Sequence, residues 1–278
     1  MNIGIRAHDL PMQSLENLVK DLSYRDLSSV QLALNKSFNF KTEPGFLTPG
    51  LANHISSAFR QANIQIAVLG CYVNIIHPDI NQRRQALERF KEHLRYVRDF
   101  GCSIVGTETG NINADIIYTE ENFAEAPFLA MVESIKELVA EAEKFGAIVG
   151  IEPGVNHPLH SPKKVSRLLA EVNSNNLQII FDPVNFLTSD NYLDQNNILQ
   201  EAIDSWGDRV AVLHAKDFIV EKGNLHFVPL GQGWLDYDHI FEGLVSRKPH
   251  MNIIMDEIDQ DDIRKSSEFI RKLNSKFL

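Results

Sequence analysis

Apolar positions along this chain recur with two periods that take turns. Residues 2–6 form a short apolar run, and Leu15, Leu18, Val19 and Leu22 then follow helical spacing. The rhythm continues with predicted strands at 30–34, 64–69, 102–106 and 147–151. Between them lie helical stripes at 51–62, from Asp79 through Leu87, Phe90, Leu94 and Val97 to Gly101, and at 123–145 closed by Gly146. The second half repeats it. Ser161-Pro162 is a helix start, with a capping side chain and then proline at the first helical position. Strands at 177–181, 209–213 and 252–255 alternate with helices at 196–206, 236–245 and 263–273.

Eight strands alternating with helices predict a parallel sheet, and eight is the number that closes a ring. The expected fold class is therefore α/β, a single (β/α)8 TIM barrel, with residues 1–278 as one domain because no Pro/Gly/Ser-rich linker divides them. An open doubly wound sheet is the alternative. It would carry a glycine-rich phosphate turn after its first strand, and Gly4-Ile5-Arg6-Ala7 is not one.

Composition narrows the functional classes. The 278 residues are 44% hydrophobic and 23% charged, with a net charge of −10. An acidic chain without a dense Lys/Arg run is a poor partner for nucleic acid or an anionic membrane. Cys71 and Cys102 form no metal-spacing motif and read as buried free thiols. Neither a signal-peptide layout nor a membrane-spanning apolar run is present, so the expected location is cytoplasmic. A homo-oligomer remains open.

The chemistry lies at the ends of the last four barrel strands. The sequences there are Gly150-Ile151-Glu152-Pro153, Ile180-Phe181-Asp182-Pro183, Leu213-His214-Ala215-Lys216 and Met255-Asp256-Glu257-Ile258. In such barrels the functional residues sit at the carboxyl ends of strands. Glu152, Asp182, His214 and Glu257 stand 30, 32 and 43 residues apart, each about one β/α unit. Neighbouring strands would gather them on one rim. Three carboxylates there repel unless a cation intervenes. Three oxygens and one nitrogen suit one divalent metal ion, Mn²⁺, Mg²⁺, Co²⁺ or Zn²⁺. The bland reading is four unrelated polar residues at strand mouths.

These strand ends resemble the sugar phosphate isomerase/epimerase group of the xylose isomerase-like barrel superfamily. The likeness rests on I-E-P, F-D-P-V-N, L-H-A-K-D, P-L-G-Q-G-W-L-D-Y and M-D-E-I, between Gly150 and Glu257. It implies a metal held by Glu152, Asp182, His214 and Glu257. Glu152 and Glu257 would double as acid/base groups on opposite faces of a ketose. The implied reaction removes a proton beside a carbonyl and returns one through an enediolate, giving epimerisation or isomerisation of a sugar or sugar phosphate. The same superfamily includes inosose dehydratases, which are lyases, and the endonuclease IV type of repair nuclease with three zincs. This chain departs from the nuclease pattern, with Gly70, Glu108, Asn185 and Phe227 at positions where histidines are expected. A non-catalytic sugar-binding relic is a further alternative.

Around that rim, Lys216 is a candidate for holding a substrate hydroxyl or phosphate, or for an ion pair with Asp217 or Glu257. Asn185, Glu108, Arg6 and His8 are candidate substrate contacts. Trp234 would stack on a sugar face or anchor its turn. Tyr72, Asn74, His157 and His160 are weaker candidates.

Overall fold

The two alternating periods fold into a closed ring of parallel strands in the computed structural model, which describes residues 2–40 and 43–277. Met1 and Leu278, the ends of the expected domain, lie outside the described residues. The chain runs β1 (Asn2–Arg6), α1 (Leu15–Tyr24), β2 (Ser29–Leu32), α2 (Leu34–Ser37), α3 (Pro49–Gln61), β3 (Gln65–Gly70), α4 (Ile80–Tyr96), β4 (Ile104–Glu108) and α5 (Glu125–Phe145). It continues through β5 (Ile148–Glu152), α6 (Pro162–Val172), β6 (Leu177–Phe181), α7 (Gln195–Trp206), β7 (Val210–Ala215), β8 (Asp217–Glu221), β9 (Asn224–Val228), α8 (Tyr237–Leu244), β10 (Asn252–Met255) and α9 (Ile263–Phe277).

Eight of these strands close the barrel in the order β1-β10-β7-β6-β5-β4-β3-β2. The expected TIM barrel is the fold observed. The remaining pair, β8 and β9, is an antiparallel hairpin that leaves the mouth directly after β7. The helical stripes do what their spacing predicts: α6, for example, buries Pro162, Val165 and Leu168 against the ring. Its start is fixed by Ser161, whose hydroxyl accepts from the Lys164 N–H. Asp79 caps α4 by accepting from Asn81 and Gln82. Gly146 closes α5 in the left-handed conformation, at φ 60°.

The inner face of the ring sets the direction of every side chain at the mouth. Gly106 and Gly150 pair in register, and a Cβ on either would meet the Ile180 side chain at 2.8 or 3.1 Å. Ile180 therefore fills the room that two missing side chains leave, so positions 106, 150 and 180 all face inward. Side chains two residues apart share a face of a strand. Glu108, Glu152 and Asp182 consequently point to the axis. On β7 and β10, His214 pairs with Ile254, which continues the inward row to Lys216 and Asp256. On β1 and β2, Gly4 pairs with Ile254 and with Ser29, so the same inward row continues two residues on to Arg6 and Gln31, which pair with each other.

Gly4 is the tightest approach in the ring. A Cβ there would lie 2.2 Å from the backbone oxygen of Ser29. Gly4→Ala is expected to cost about 1–3 kcal/mol, because β1 and β2 must separate to admit it. Urea unfolding checks this, and an unchanged midpoint would contradict it. His93, on the inner side of α4, gives a pH signature. Burial pushes it down to about 4, outweighing its hydrogen bond to the Arg89 carbonyl at 2.8 Å. As pH falls from about 6.5 to about 4, the unfolded chain takes up a proton that the folded chain refuses. Stability should fall across that window, by about 3 kcal/mol from this group. His93→Gln is expected to flatten the fall in chemical-denaturation midpoints measured at pH 7 and pH 4.5.

Candidate metal centre

Apolar strands carry four ligating groups into one buried cluster at the carboxyl end of the barrel. One ligand atom each from Glu152, Asp182, His214 and Asp256 lies within 4.8 Å of the other three. Asp182 and Asp256 are fully buried, and Glu152 and His214 nearly so. Among the described residues this is the one such group. The expected member Glu257 is not in it. Asp256 takes that place, because it continues the inward row of Ile254, whereas Glu257 falls on the opposite parity. The strand has ended at Met255, and Glu257 sits in the left-handed region at φ 53°. Its backbone N–H donates to Asp9, and its half-exposed carboxylate turns to the mouth, 3.5 Å from the Lys216 ammonium.

Each cluster member has a support that fixes its orientation. The Asp182 Oδ1 accepts the N–H groups of Val184 at 2.9 Å and Asn185 at 3.4 Å, in the turn after Pro183. The Asn185 side chain donates to the Glu152 Oε1 at 3.0 Å. Arg6 grips Asp9 through Nε at 3.1 Å and Nη2 at 2.8 Å, and its Nη1 pairs with the Asp256 Oδ1. His214 faces Glu152 at 3.2 Å and Asp256 at 3.5 Å through Nδ1, while Nε2 lies 2.9 Å from the Gln31 Oε1. Gln31 in turn donates to the Tyr72 hydroxyl. Acceptors thus face both ring nitrogens, with Gln31 holding Nε2 and so aiming Nδ1 into the cluster, where a metal would take the place of its proton.

The electrostatics are those of buried acids crowded around cations. Burial pushes Asp182 up to about 6, against the pull of Lys216. Burial acts in the same sense on Asp256, but Lys216, His214 and Arg6 outweigh it and hold that carboxyl well below the usual range. Glu152 also ends below its usual value, because His214 overcomes burial. Burial lowers His214, but Glu152 and Asp256 raise it to about 10. Lys216 lies 3.0 Å from Asp182 and 3.2 Å from Asp256, and is held well above its ordinary value despite burial. Its expected partner Asp217 is engaged elsewhere. Asp217 accepts from Phe218, Gly231, Gly233 and Leu235, which ties down the P-L-G-Q-G-W turn.

The donors fit a divalent cation. The Asp182 Oδ2 and both oxygens of Asp256 are buried and receive no hydrogen bond from the protein. Buried carboxylate oxygens that are neutralised by charge but accept no hydrogen bond keep open acceptor positions, and a cation with oxygen and imidazole ligands satisfies them.

The other sequence candidates line or surround the mouth. His8 is edge-on to Tyr72 at 5.6 Å, and burial with nearby Arg6 pushes it down to about 3. Glu108 pairs in register with Glu152 and lies 3.9 Å from the buried His157; burial raises it. His157 bonds to the Gly110 carbonyl, and His160 stacks on Phe123, so both organise loops. Asn74 likewise bonds loop backbone at Asn111 and Asn113. Trp234 stacks its ring on Tyr192 at 5.4 Å while its backbone N–H donates to the Phe218 carbonyl, which is the turn-anchoring arrangement. Sequence reasoning missed Gln31 and the partnership of Lys216 with the Phe227 ring, 4.9 Å away. Cys71 and Cys102 are buried and free. No helix among the described residues is long and apolar enough to cross a membrane.

The family described as xylose isomerase-like TIM barrel matches residues 27–273. No curated protein matches. Among solved structures, a crystal structure of "IOLI protein with a binding zinc atom" aligns with TM-score 0.76 at 14% identity, covering 100% of this chain and 99% of that one. D-psicose 3-epimerase with D-tagatose, from Clostridium cellulolyticum H10, aligns with TM-score 0.73 at 13% identity, covering 100% and 99%. The probable 3-DHS dehydratase AsbF from Bacillus anthracis aligns with TM-score 0.74 at 14% identity, covering 98% and 99%. At these identities the likeness is one of fold.

Gln31 is the support whose removal leaves every ligand in place. Gln31→Leu is expected to weaken Mn²⁺ binding about 10–100-fold, because the imidazole loses the partner that orients it. Isothermal titration checks this, and an unchanged affinity would contradict it.

Proposed function

The chain belongs to the xylose isomerase-like TIM barrel family, and from that premise we propose that it is a divalent-metal-dependent epimerase or isomerase of a sugar or sugar phosphate. The observation that carries this reading is the buried group of Glu152, Asp182, His214 and Asp256, whose aspartate oxygens facing the cluster accept no hydrogen bond. The D-psicose 3-epimerase among the structural neighbours supports the substrate class.

Glu152, Asp182, His214 and Asp256 would hold the ion. When bound, it supplies Lewis-acid stabilisation of the negative charge that grows on the substrate as a proton leaves carbon. Glu152 is the group we assign to take that proton, with Asn185 holding its carboxylate at 3.0 Å in the required orientation. Glu257 is the strand-end carboxylate left outside the cluster. It stands three strands round the ring from Glu152, with β6 and β7 lying between β5 and β10. We assign it the return of a proton to the opposite face. Lys216, Asn185, Glu108 and His8 would surround the space a substrate enters, with Lys216 suited to a hydroxyl or phosphate and Arg6 holding Asp256 behind them. Phe227, on the hairpin, shields Lys216 from solvent.

A lyase reading is favoured by one specific observation. Glu108 pairs in register with Glu152, and burial keeps it protonated to higher pH than an ordinary glutamate. A carboxyl beside the base that holds its proton more tightly than usual is suited to protonating a departing hydroxyl.

Incubating a panel of ketoses and inososes with Mn²⁺ in D₂O separates the two. Deuterium gain with the carbon skeleton intact supports epimerisation or isomerisation; loss of water supports the lyase. In either case Glu152→Gln is expected to lower turnover by ~10²–10⁴-fold. Full activity in that variant would overturn the assignment of Glu152.

A further inference from the structure

The ammonium of Lys216 sits inside the group that would hold the metal. Its side chain is 5% exposed, and its Nζ lies 3.0 Å from the Asp182 Oδ2 and 3.2 Å from the Asp256 Oδ2. Those two atoms are not arbitrary. The Asp182 Oδ1 is occupied by two backbone N–H groups, from Val184 and Asn185. The Asp256 Oδ1 is paired with Arg6. Each aspartate therefore keeps one oxygen for a cation, and Lys216 stands against both.

The contact is one of charge rather than of fitted geometry. Neither oxygen accepts a hydrogen bond from the ammonium, although both lie at ion-pair distance. A second set of partners is close by. The Asn185 Oδ1 accepts from Nζ at 3.4 Å, the Glu257 Oε2 lies at 3.5 Å, and the face of Phe227 lies at 4.9 Å. All three are on the mouth side of the cluster, and a flexible four-carbon stem connects the two settings.

We propose that Lys216 is the cluster's own counter-ion and competes with the divalent metal for the same two carboxylate oxygens, so that loading the site swings its ammonium out to Asn185, Glu257 and the substrate. This rests on the metal-site reading above and extends it. Two cations cannot share two oxygens in a dry pocket, because their repulsion is poorly screened there. The exchange has two consequences. The metal-free chain remains folded, since three buried carboxylates retain Lys216, His214 and Arg6 as neutralising partners. The substrate-holding ammonium is presented at the mouth only once the ion is in place, so a sugar hydroxyl or phosphate meets a complete site or none.

The test compares the unaltered chain with Lys216→Met, which keeps length without charge, and Lys216→Arg, which keeps charge. Mn²⁺ affinity is read by isothermal titration, and thermal midpoints are read in EDTA and in saturating Mn²⁺. The expected result is that Lys216→Met binds Mn²⁺ at least tenfold more tightly and Lys216→Arg gains nothing. Lys216→Met should also melt earlier than the unaltered chain in EDTA, with the gap closing in Mn²⁺. Equal or weaker binding by Lys216→Met, with the unaltered chain binding normally, overturns the competition and leaves the metal site standing. Binding by Lys216→Met alone supports the competition in its strongest form. If neither binds, the metal site and the competition fall together. A zinc-loaded crystal structure of the unaltered chain decides the matter without any variant. Nζ displaced from both Asp182 and Asp256 supports the proposal, and Nζ still between them overturns it.

Discussion

Three carboxylates buried within a few ångström of one another demand positive charge among them, and the architecture of this barrel mouth follows from that demand. Asp182 and Asp256 are sealed from solvent, and Glu152 almost so. Left alone they would force one another to take up protons. The chain answers with Lys216 between the two aspartates, with His214 against Glu152 and Asp256, and with Arg6 behind Asp256. The same demand explains why the site suits a divalent ion: the oxygens left over are those a cation would take.

The barrel delivers these groups through strand parity. Glycines at 106 and 150 leave the interior layer to Ile180, and the next inward positions become Glu108, Glu152 and Asp182. On β2 the same alternation, in register with Gly4 and Arg6 on β1, turns the amide of Gln31 inward. That amide then links His214 to Tyr72.

Much of this was legible in the sequence. An acid or a histidine at the end of an apolar strand is conspicuous, and Glu152, Asp182 and His214 meet where that reasoning put them together. The strand end Met255-Asp256-Glu257 was harder, because two acids stand side by side and only the end of the strand decides between them. The inward row through Ile254 selects Asp256, and a left-handed residue at 257 cannot be read from composition. Gln31 was invisible, since a glutamine in a short strand carries no signal until its pairing with Arg6 on the neighbouring strand is known. Arg6 was read as a pocket residue, yet its guanidinium is committed to Asp9 and Asp256. The β8–β9 hairpin was also unread. Its Lys222-Gly223 turn lies between the predicted strand at 209–213 and the predicted helix at 236–245, where no element was expected, and from there Phe227 reaches back over Lys216.

The central claim is that one divalent cation is held by Glu152, Asp182, His214 and Asp256. An anomalous-difference map at the manganese edge, from crystals grown with Mn²⁺, tests it most directly. The account predicts a single strong peak among those four side chains, with the Glu257 carboxylate outside its coordination sphere. A peak bound by Glu257 in place of Asp256, or no peak at the barrel mouth, would contradict it.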